Sequence, residues 1–348
     1  MSFPDRFALY RKWLAEFLDK KYKKAEELNI KLNMEANVLK ELRQQEDIFI
    51  MKNAHIIAMT TTGSSRYHNA LKDIGPRIVI VEEAAEVFEA HIVSSLSKTC
   101  EHLILIGDHV QLRPNPAVFT LAKQYNLDVS LFERLINNNT KRVMLSCQHR
   151  MRPQISVLMK HFYDKPIRDH ESVLAFDNLI GFKNNIFFIA HNKPENNVSD
   201  GQSKLNKFEA EFITELCIYL VKHKYNESQI TVLTMYLGQM IEIRTILRNR
   251  CLQKIKVSTV DNYQGEENDF ILLSLVRSNK EKKIGFLKID NRVCVSLSRA
   301  KKALFCIGDL DMIRSESDTW SNVLQTAREM NCLRNSILLT CGLFQDKT

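Results

Sequence analysis

The apolar run Ile78-Val79-Ile80-Val81 leads straight into Glu82-Glu83-Ala84-Ala85-Glu86. Adjacent acids at the end of a buried strand are costly unless they bind a cation or face a polar cavity. One reading makes Glu82 the holder of Mg2+, directly or through water. Glu83 then orients a water for attack on a γ-phosphate. The other reading makes the same residues the acidic start of a helix, where the dipole favours carboxylates. Further along, Gly107-Asp108-His109-Val110-Gln111-Leu112-Arg113-Pro114 ends a second apolar run. Gly and Asp permit a tight turn there, and Gln111 can contact a terminal phosphate and report its loss. Arg150, in Gln148-His149-Arg150-Met151-Arg152-Pro153, can reach a γ-phosphate as a charge-stabilising finger or belong to a basic surface cluster. Arg299, in Ser296-Leu297-Ser298-Arg299-Ala300-Lys301, is a second candidate finger.

The elements that must hold these residues are legible as short apolar runs, each followed by a polar turn and a helical stretch. The first series is residues 55–60, 77–83, 102–108 and 142–150; the second is 185–190, 229–236, 256–261, 270–278 and 293–309. Strands of this length alternating with helices point to an α/β chain with parallel sheets covered on both faces. Ligands in such sheets sit at the carboxyl ends of the strands. Residues 191–207, rich in Asn, Ser and Lys with Pro194 and Gly201, read as a loop between the two series. Ahead of both, Arg6 to Lys52 contains no Gly, and its apolar residues recur at helical spacing. This predicts two long amphipathic helices, in an antiparallel pair.

Length and composition set the outer bounds. The 348 residues suffice for two domains, and 45% hydrophobic with 26% charged residues is the balance of a soluble globular chain. No apolar run is long enough for a membrane span, and the N-terminus has no signal-peptide core. Eight cysteines include no C-x-x-C pair, so neither a zinc module nor a disulfide framework is expected; the thiols read as small buried hydrophobes. A net charge of +8 favours a polyanionic partner, because basic surfaces gain by releasing counterions from phosphates.

The ordered segments VEEAAE, GDHVQLRP, QHRMRP, TMYLGQ, VDNYQGEENDFILLSLVRSN and VSLSRAKKALFCIGD resemble motifs II to VI of superfamily 1 helicases. The branch is the one that contains the nonsense-mediated-decay RNA helicase. Glu82 for the usual Asp, His149 for the usual Tyr and Cys294 for the usual Asn make the chain most similar to its NFX-type zinc-finger members. The resemblance covers roughly residues 54–310.

It implies two tandem RecA-like parallel-sheet domains, the first incomplete, preceded by a long helical stalk. The segments would be a stalk over 1–52, an incomplete first domain over 53–147 with motifs Ic, II and III, a second domain over 148–311 with motifs IV to VI, and a helical tail over 312–348. It places Glu82 at the metal position, Glu83 at the general-base position and Gln111 at the γ-phosphate sensor. Arg150 and Arg299 match the arginines that grip the γ-phosphate, and the four groups are expected to converge on a shared cleft. His149 stands where an aromatic stacks on the base, Gln239 belongs to motif IV, and Gly265 and Glu266 match positions near the ribose and phosphates. Thr60, Thr61 and Thr62, with Ser258 and Thr259, resemble segments that contact the nucleic-acid backbone. The implied ligands are ATP and Mg2+, with no zinc. The implied partner is single-stranded RNA, bound largely without regard to sequence. The implied setting is cytoplasmic, with the nucleus as the alternative, in RNA surveillance or antiviral defence.

A motor of this kind needs G-x-x-x-x-G-K-[S/T], whose amides and lysine cradle the phosphates. The sequence has ten glycines, and none is followed by lysine. ATP hydrolysis by these residues alone is therefore not expected. The loop is expected on an upstream segment or a protein partner, with the sequence a truncated isoform, split-gene product or incomplete gene model. The competing expectation is a helicase-derived module that binds RNA or docks a partner without turnover. A nuclease is a third class, since paired acids support two-metal hydrolysis, but GDxxQLxP fits the motor better.

Overall fold

The computed structural model describes residues 2–197 and 203–340. The chain divides into two compact units, Met1–Val79 with Ala90–Leu103, and Ile80–Glu89 with Ile104–Thr348.

The first unit is dominated by one helix, α1 (Phe3–Lys52), 50 residues long. At 1.5 Å per residue it extends about 75 Å. The expected helix pair is a single rod, because no Gly or Pro interrupts residues 6–52. Ser2 caps the rod in a reciprocal box with Asp5, and Pro4 sits in the first turn, where its missing N–H is harmless. None of its residues is buried. Two short helices follow, α2 (Thr61–Arg66) and α3 (His68–Ile74). Tyr67 between them donates to Asp47 of α1. Residues 55–60 carry no strand, and Ile56 there is exposed.

Strands β1 (Ile78–Val81) and β2 (His102–Leu105) pair as a two-stranded sheet, with α4 (Glu89–Ser95) between them in sequence. Ile78, Ile80, Ile104 and Ile106 are exposed.

In the larger unit the chain continues through α5 (Phe119–Tyr125), α6 (Leu131–Asn137), β3 (Cys147–Gln148), α7 (Pro153–Ser156), β4 (Arg168–Asp169) and α8 (Glu171–Leu174). Then come β5 (Ile186–Ala190), the pair β6 (Asn196–Asn197) and β7 (Lys204–Leu205), α9 (Lys207–Lys222), β8 (Ile230–Thr234) and α10 (Leu237–Asn249). The last elements are β9 (Lys256–Thr259), β10 (Asn268–Ser274), α11 (Asp290–Ser298), β11 (Ala300–Gly308), α12 (Leu310–Glu316), α13 (Asp318–Glu329) and β12 (Leu333–Arg334). Six of these strands form one sheet in the order β12-β5-β11-β10-β8-β9, and all of its pairings are parallel. The α/β expectation, with parallel sheets behind a long helix, holds.

Alternate residues of the sheet feed two cores. Phe188, Leu233, Ile271 and Cys306 pack on one face with α11 and α13, around the fully buried Trp320. Phe187, Val232, Leu272 and Phe305 pack on the other with α9 and α10. Strands buried on both faces read as continuous apolar runs, which is why β5, β8 and β10 stood out in sequence.

Several local expectations change. Residues 142–146 are not a strand, and Val143 and Leu145 are exposed. Residues 293–298, read as a strand, are the end of α11. The region after 311 is helical through α13, but β12 then adds a strand to the sheet; Cys341 and the rest of residues 341–348 lie outside the described residues. Cys217, Cys294, Cys306 and Cys332 are buried thiols as expected, whereas Cys147 and Cys251 are exposed. The compact units also differ from a division at 147/148, since the ends of β1 and β2 group with the larger one. Among the described residues no helix is long and apolar enough to cross a membrane.

Candidate functional site

The turn after β1 begins with exposed Glu82 and Glu83. Glu83 has φ 51°, the left-handed region that a non-glycine residue adopts only under constraint. The constraint is the backbone behind it: Ala84 N–H donates to Ile106 at 2.8 Å, and Ala84 and Ala85 are buried. Gly107 closes this packing, because a Cβ there lies 2.9 Å from the Ala85 nitrogen and 3.1 Å from that of Ala84. Gly107→Ala is therefore expected to lower stability by about 1–3 kcal/mol through overpacking against rigid backbone, read as a lower urea midpoint at unchanged slope.

The turn after Gly107 is organised by Asp108. Its carboxylate accepts from Val110 N–H at 3.0 Å, from the Gln111 side-chain amide at 2.8 Å and from the Tyr163 hydroxyl at 2.5 Å. Burial, first, holds that hydroxyl protonated far above the ordinary tyrosine range. Cys294 lies behind it, 3.8 Å from the hydroxyl, its own thiol pushed up to about 12 by burial. With its amide nitrogen held by Asp108, Gln111 presents its oxygen to Arg299 Nη2 at 2.7 Å. Asn291 Nδ2 sits 3.1, 3.0 and 2.5 Å from the carbonyls of His109, Val110 and Gln111, pinning the same turn.

Arg299 follows α11 and is 1% exposed. Its Nη1 reaches the Glu266 carbonyl at 3.4 Å and its Nη2 the Ser298 hydroxyl at 3.1 Å, but the buried Nε has no partner. No carboxylate ion-pairs with it among the described residues. Burial, then the positive charge of Arg150, pulls its pKa below the usual guanidinium range, and Glu83 opposes them. Arg150 leaves the turn after β3, donates to Glu267 and reaches the Ser298 carbonyl at 3.4 Å. Glu267 also takes Lys301 at 2.8 Å. Burial would raise its carboxyl, but hydrogen bonds from Lys301 and Arg150 and their charges bring it below the ordinary range. Gln264 Nε2 lies 3.4 Å from Glu83.

Glu83, Gln111, Arg150 and Arg299 are thus brought to one region of the larger unit, where Gln111 bonds Arg299 and Arg150 reaches the Ser298 carbonyl. Two cavities of the larger unit lie elsewhere, one beside Asn178, Phe182 and Cys332 and one beside Arg244, Arg248 and Lys256. The cluster also occupies an unexpected edge of the six-stranded sheet. Glu267 immediately precedes β10, and Asn268 N–H donates to the Arg299 carbonyl just before β11, so the arginines stand at the amino ends of these strands. Gly265 and Glu266 are on the same edge. Gly265 has φ 75° and open space where a Cβ would be; exposed Glu266 pairs with Lys256.

Gln239 follows the carboxyl end of β8, and Ser258 and Thr259 form the carboxyl end of β9, at the other edge. Gln239, matched to motif IV, is fully buried; its oxygen accepts from Asn206 N–H at 2.7 Å, and its nitrogen donates to the Asn206 carbonyl and the Ser274 hydroxyl. It fastens α9 to α10. Ser258 is buried in β9, and Thr259 ends that strand half-buried. His149 is exposed, its ring 4.0 Å from that of His170 at 34°. Thr60, Thr61 and Thr62 lie in the first unit, where Thr60 caps α2 by accepting from Gly63 N–H at 3.1 Å.

Glu82 has no partner among the described residues, and Glu86 is held above the usual carboxylate range by burial and then by Glu83 and Asp261. No cluster of three or more His, Cys, Asp or Glu has metal-holding geometry among the described residues. The orphaned Arg299 Nε and the acids opposite it fit a Mg2+–triphosphate.

Residues 127–311 match the AAA domain family, and residues 9–117 match a second AAA domain family. The chain belongs to the AAA domain family, in the superfamily 1 branch of nonsense-mediated-decay-type helicases. It is 48% identical over 341 residues to NFX1-type zinc finger-containing protein 1 of Mus musculus, covering 98% of this chain. It is 40% identical over 283 residues to "Helicase required for RNAi-mediated heterochromatin assembly 1" of Schizosaccharomyces pombe, covering 80% of this chain and 28% of that protein. To the Arabidopsis thaliana "Regulator of nonsense transcripts 1 homolog" it is 30% identical over 307 residues, covering 84% of this chain and 24% of that one. The chain spans 18% of the length of the mouse relative.

Proposed function

We propose that this chain supplies the metal, sensor and arginine groups of an ATP-dependent RNA motor. The observation that carries the reading is Arg299: a guanidinium 1% exposed, with an unsatisfied Nε and no carboxylate partner, beside a second arginine. A buried cation in that position costs several kcal/mol unless an anion faces it. A terminal phosphate is such an anion, and Gln111 already holds one Nη toward the acidic turn.

In this reading Glu82 would hold Mg2+, which would supply positive charge against the phosphates when bound. Glu83 accepts a hydrogen bond from the attacking water. Gln111, bonded to Arg299 here, senses the γ-phosphate by exchanging that partner. Arg150 and Arg299 offset charge on the transferring group. His149, beside His170, offers a ring for the base. Thr60 to Thr62, Ser258 and Thr259 contact the backbone of single-stranded RNA. The phosphate-cradling loop belongs to sequence outside these 348 residues, for which relatives several times longer leave room.

The test is RNA-stimulated ATP hydrolysis by a polypeptide in which a segment bearing G-x-x-x-x-G-K-[S/T] precedes these residues. Glu83→Gln is expected to lower its kcat about 100-fold or more, the scale of a lost general base, with RNA affinity retained. A loop-bearing polypeptide that stays inactive, or one indifferent to Glu83→Gln, refutes the reading. RNA binding that weakens with salt but ignores nucleotide in both forms would instead indicate a binding module without turnover.

A further inference from the structure

The carboxyl edge of the large sheet carries an exposed ring that the nucleotide cluster does not use. Phe286 is 46% exposed, yet it is held on a rigid mount. Its N–H donates to the Tyr236 hydroxyl at 3.3 Å, and the two rings lie 5.4 Å apart at 33°. Tyr236 is itself buried, capped by Arg277 at 3.3 Å, and Arg277 is fixed by Glu195 at 2.8 Å. Gly285 has φ +56°, and a Cβ there would meet Arg277 Nη1 at 2.4 Å and the Tyr236 hydroxyl at 2.7 Å. The glycine lets the segment seat down on this pair and turn Phe286 outward. Arg292 stands over the ring at 4.5 Å from its centroid while gripping Asp261 at 2.7 and 2.8 Å. Asp261 is two residues beyond Thr259, so the ring flanks the segment assigned above to the nucleic-acid backbone.

The charge around Phe286 selects its occupant. Residues 280–288 hold four lysines against one glutamate, and Lys280, Lys282, Lys283 and Lys288 are all exposed. A fixed, partly exposed ring flanked by an arginine and set in a basic segment is the arrangement that binds single strands: bases stack, and cations follow the phosphates. We infer that Phe286 is a stacking platform for one base of a single-stranded nucleic acid, with the neighbouring lysines facing its phosphates. This rests on the nucleic-acid reading above and adds a base contact to it.

The experiment is fluorescence anisotropy of the whole chain with a labelled 12-nucleotide oligouridylate and with an abasic strand of the same length. Phe286→Ala is expected to weaken oligouridylate binding about ten-fold, the scale of one lost stack, and to leave abasic binding unchanged. Phe286→Trp is expected to bind at least as well as the unsubstituted chain. The slope of log affinity against log salt should not change, because no phosphate contact is lost. Circular dichroism of both variants checks the fold. Equal loss on both strands, or no loss on oligouridylate, overturns the inference; the latter would leave the ring to a protein contact. If the unsubstituted chain binds neither strand, the nucleic-acid reading falls with it, whereas binding that ignores Phe286→Ala sinks this inference alone.

Discussion

Arg299→Ala, in the loop-bearing polypeptide, is expected to lower kcat for ATP by about 1,000-fold or more while KM changes little. Arginines that meet charge developing on a transferring phosphoryl group contribute on that scale. The side chain is already desolvated and aimed, with Nη2 on Gln111 at 2.7 Å, so no reorganisation from water is needed when charge appears. Arg150→Ala should fall in the same range, and the double variant should be little worse than either, since groups acting as a unit are not additive. Arg299→Lys should not rescue, because one ammonium cannot span Gln111, Ser298 and the Glu266 carbonyl as the planar fork does. Stability gives the counter-check. An arginine that merely held the fold would unfold the chain when removed. Here a buried cation without a carboxylate partner is deleted, so the urea midpoint should move by less than the equivalent of about 1 kcal/mol.

The largest stability effect belongs to a residue far from the arginines. Glu209 is fully buried in α9 and accepts from the Ser274 hydroxyl at 2.5 Å, from Val276 N–H at 2.9 and 3.0 Å and from His191 Nε2 at 3.0 Å. Val276 has φ 70°, a region that a β-branched residue occupies only when its surroundings impose it. The two N–H···O bonds from Val276 are that imposition. Glu209→Ala strands a hydroxyl, a backbone N–H and an imidazole in an apolar interior and releases the strained backbone. A loss of about 3–5 kcal/mol in urea unfolding is expected, with Glu209→Gln losing less because one amide oxygen remains. Arg277 follows directly, so the mount of Phe286 loosens with it. The Arg150–Arg299 cluster, at the far ends of β10 and β11, should feel little. A loss under 1 kcal/mol would show that Glu209 does not anchor this edge.

What the sequence made legible, and what it did not, follows from burial. β5, β8 and β10 announced themselves because both faces of the sheet are covered. The same logic misled at residues 293–298, where α11 is buried on every side, so no 3.6-residue periodicity survives to separate helix from strand. Residues 55–60 and 142–146 are also apolar but pair with no strand among the described residues, which local composition cannot reveal. Glu83, Gln111, Arg150 and Arg299, which the fold brings together, were singled out by type and order. Their edge was not, because the carboxyl-end rule describes β1 and β2 but not the arginines before β10 and β11. Asp108, Glu267, Gln264 and Asn291 were missed as positioning groups. Asp108 and the acidic pair Glu266-Glu267 were visible in sequence, but only the fold shows that one orients Gln111 and the other holds Arg150. Gln239, a polar residue after a strand, is buried and bonded to Asn206 and Ser274, which the sequence does not reveal.

The central claim is that Glu83, Gln111, Arg150 and Arg299 meet one terminal phosphate. A crystal structure of the loop-bearing polypeptide with ADP, Mg2+ and aluminium fluoride tests it most directly. Guanidinium nitrogens of Arg150 and Arg299 and the Gln111 amide are predicted within about 2.7–3.2 Å of fluoride, with a Glu83 carboxylate oxygen at the same distance from the in-line water. Fluoride bound while Arg299 stays on Gln111 and Arg150 on Glu267, neither reaching it, would contradict the account.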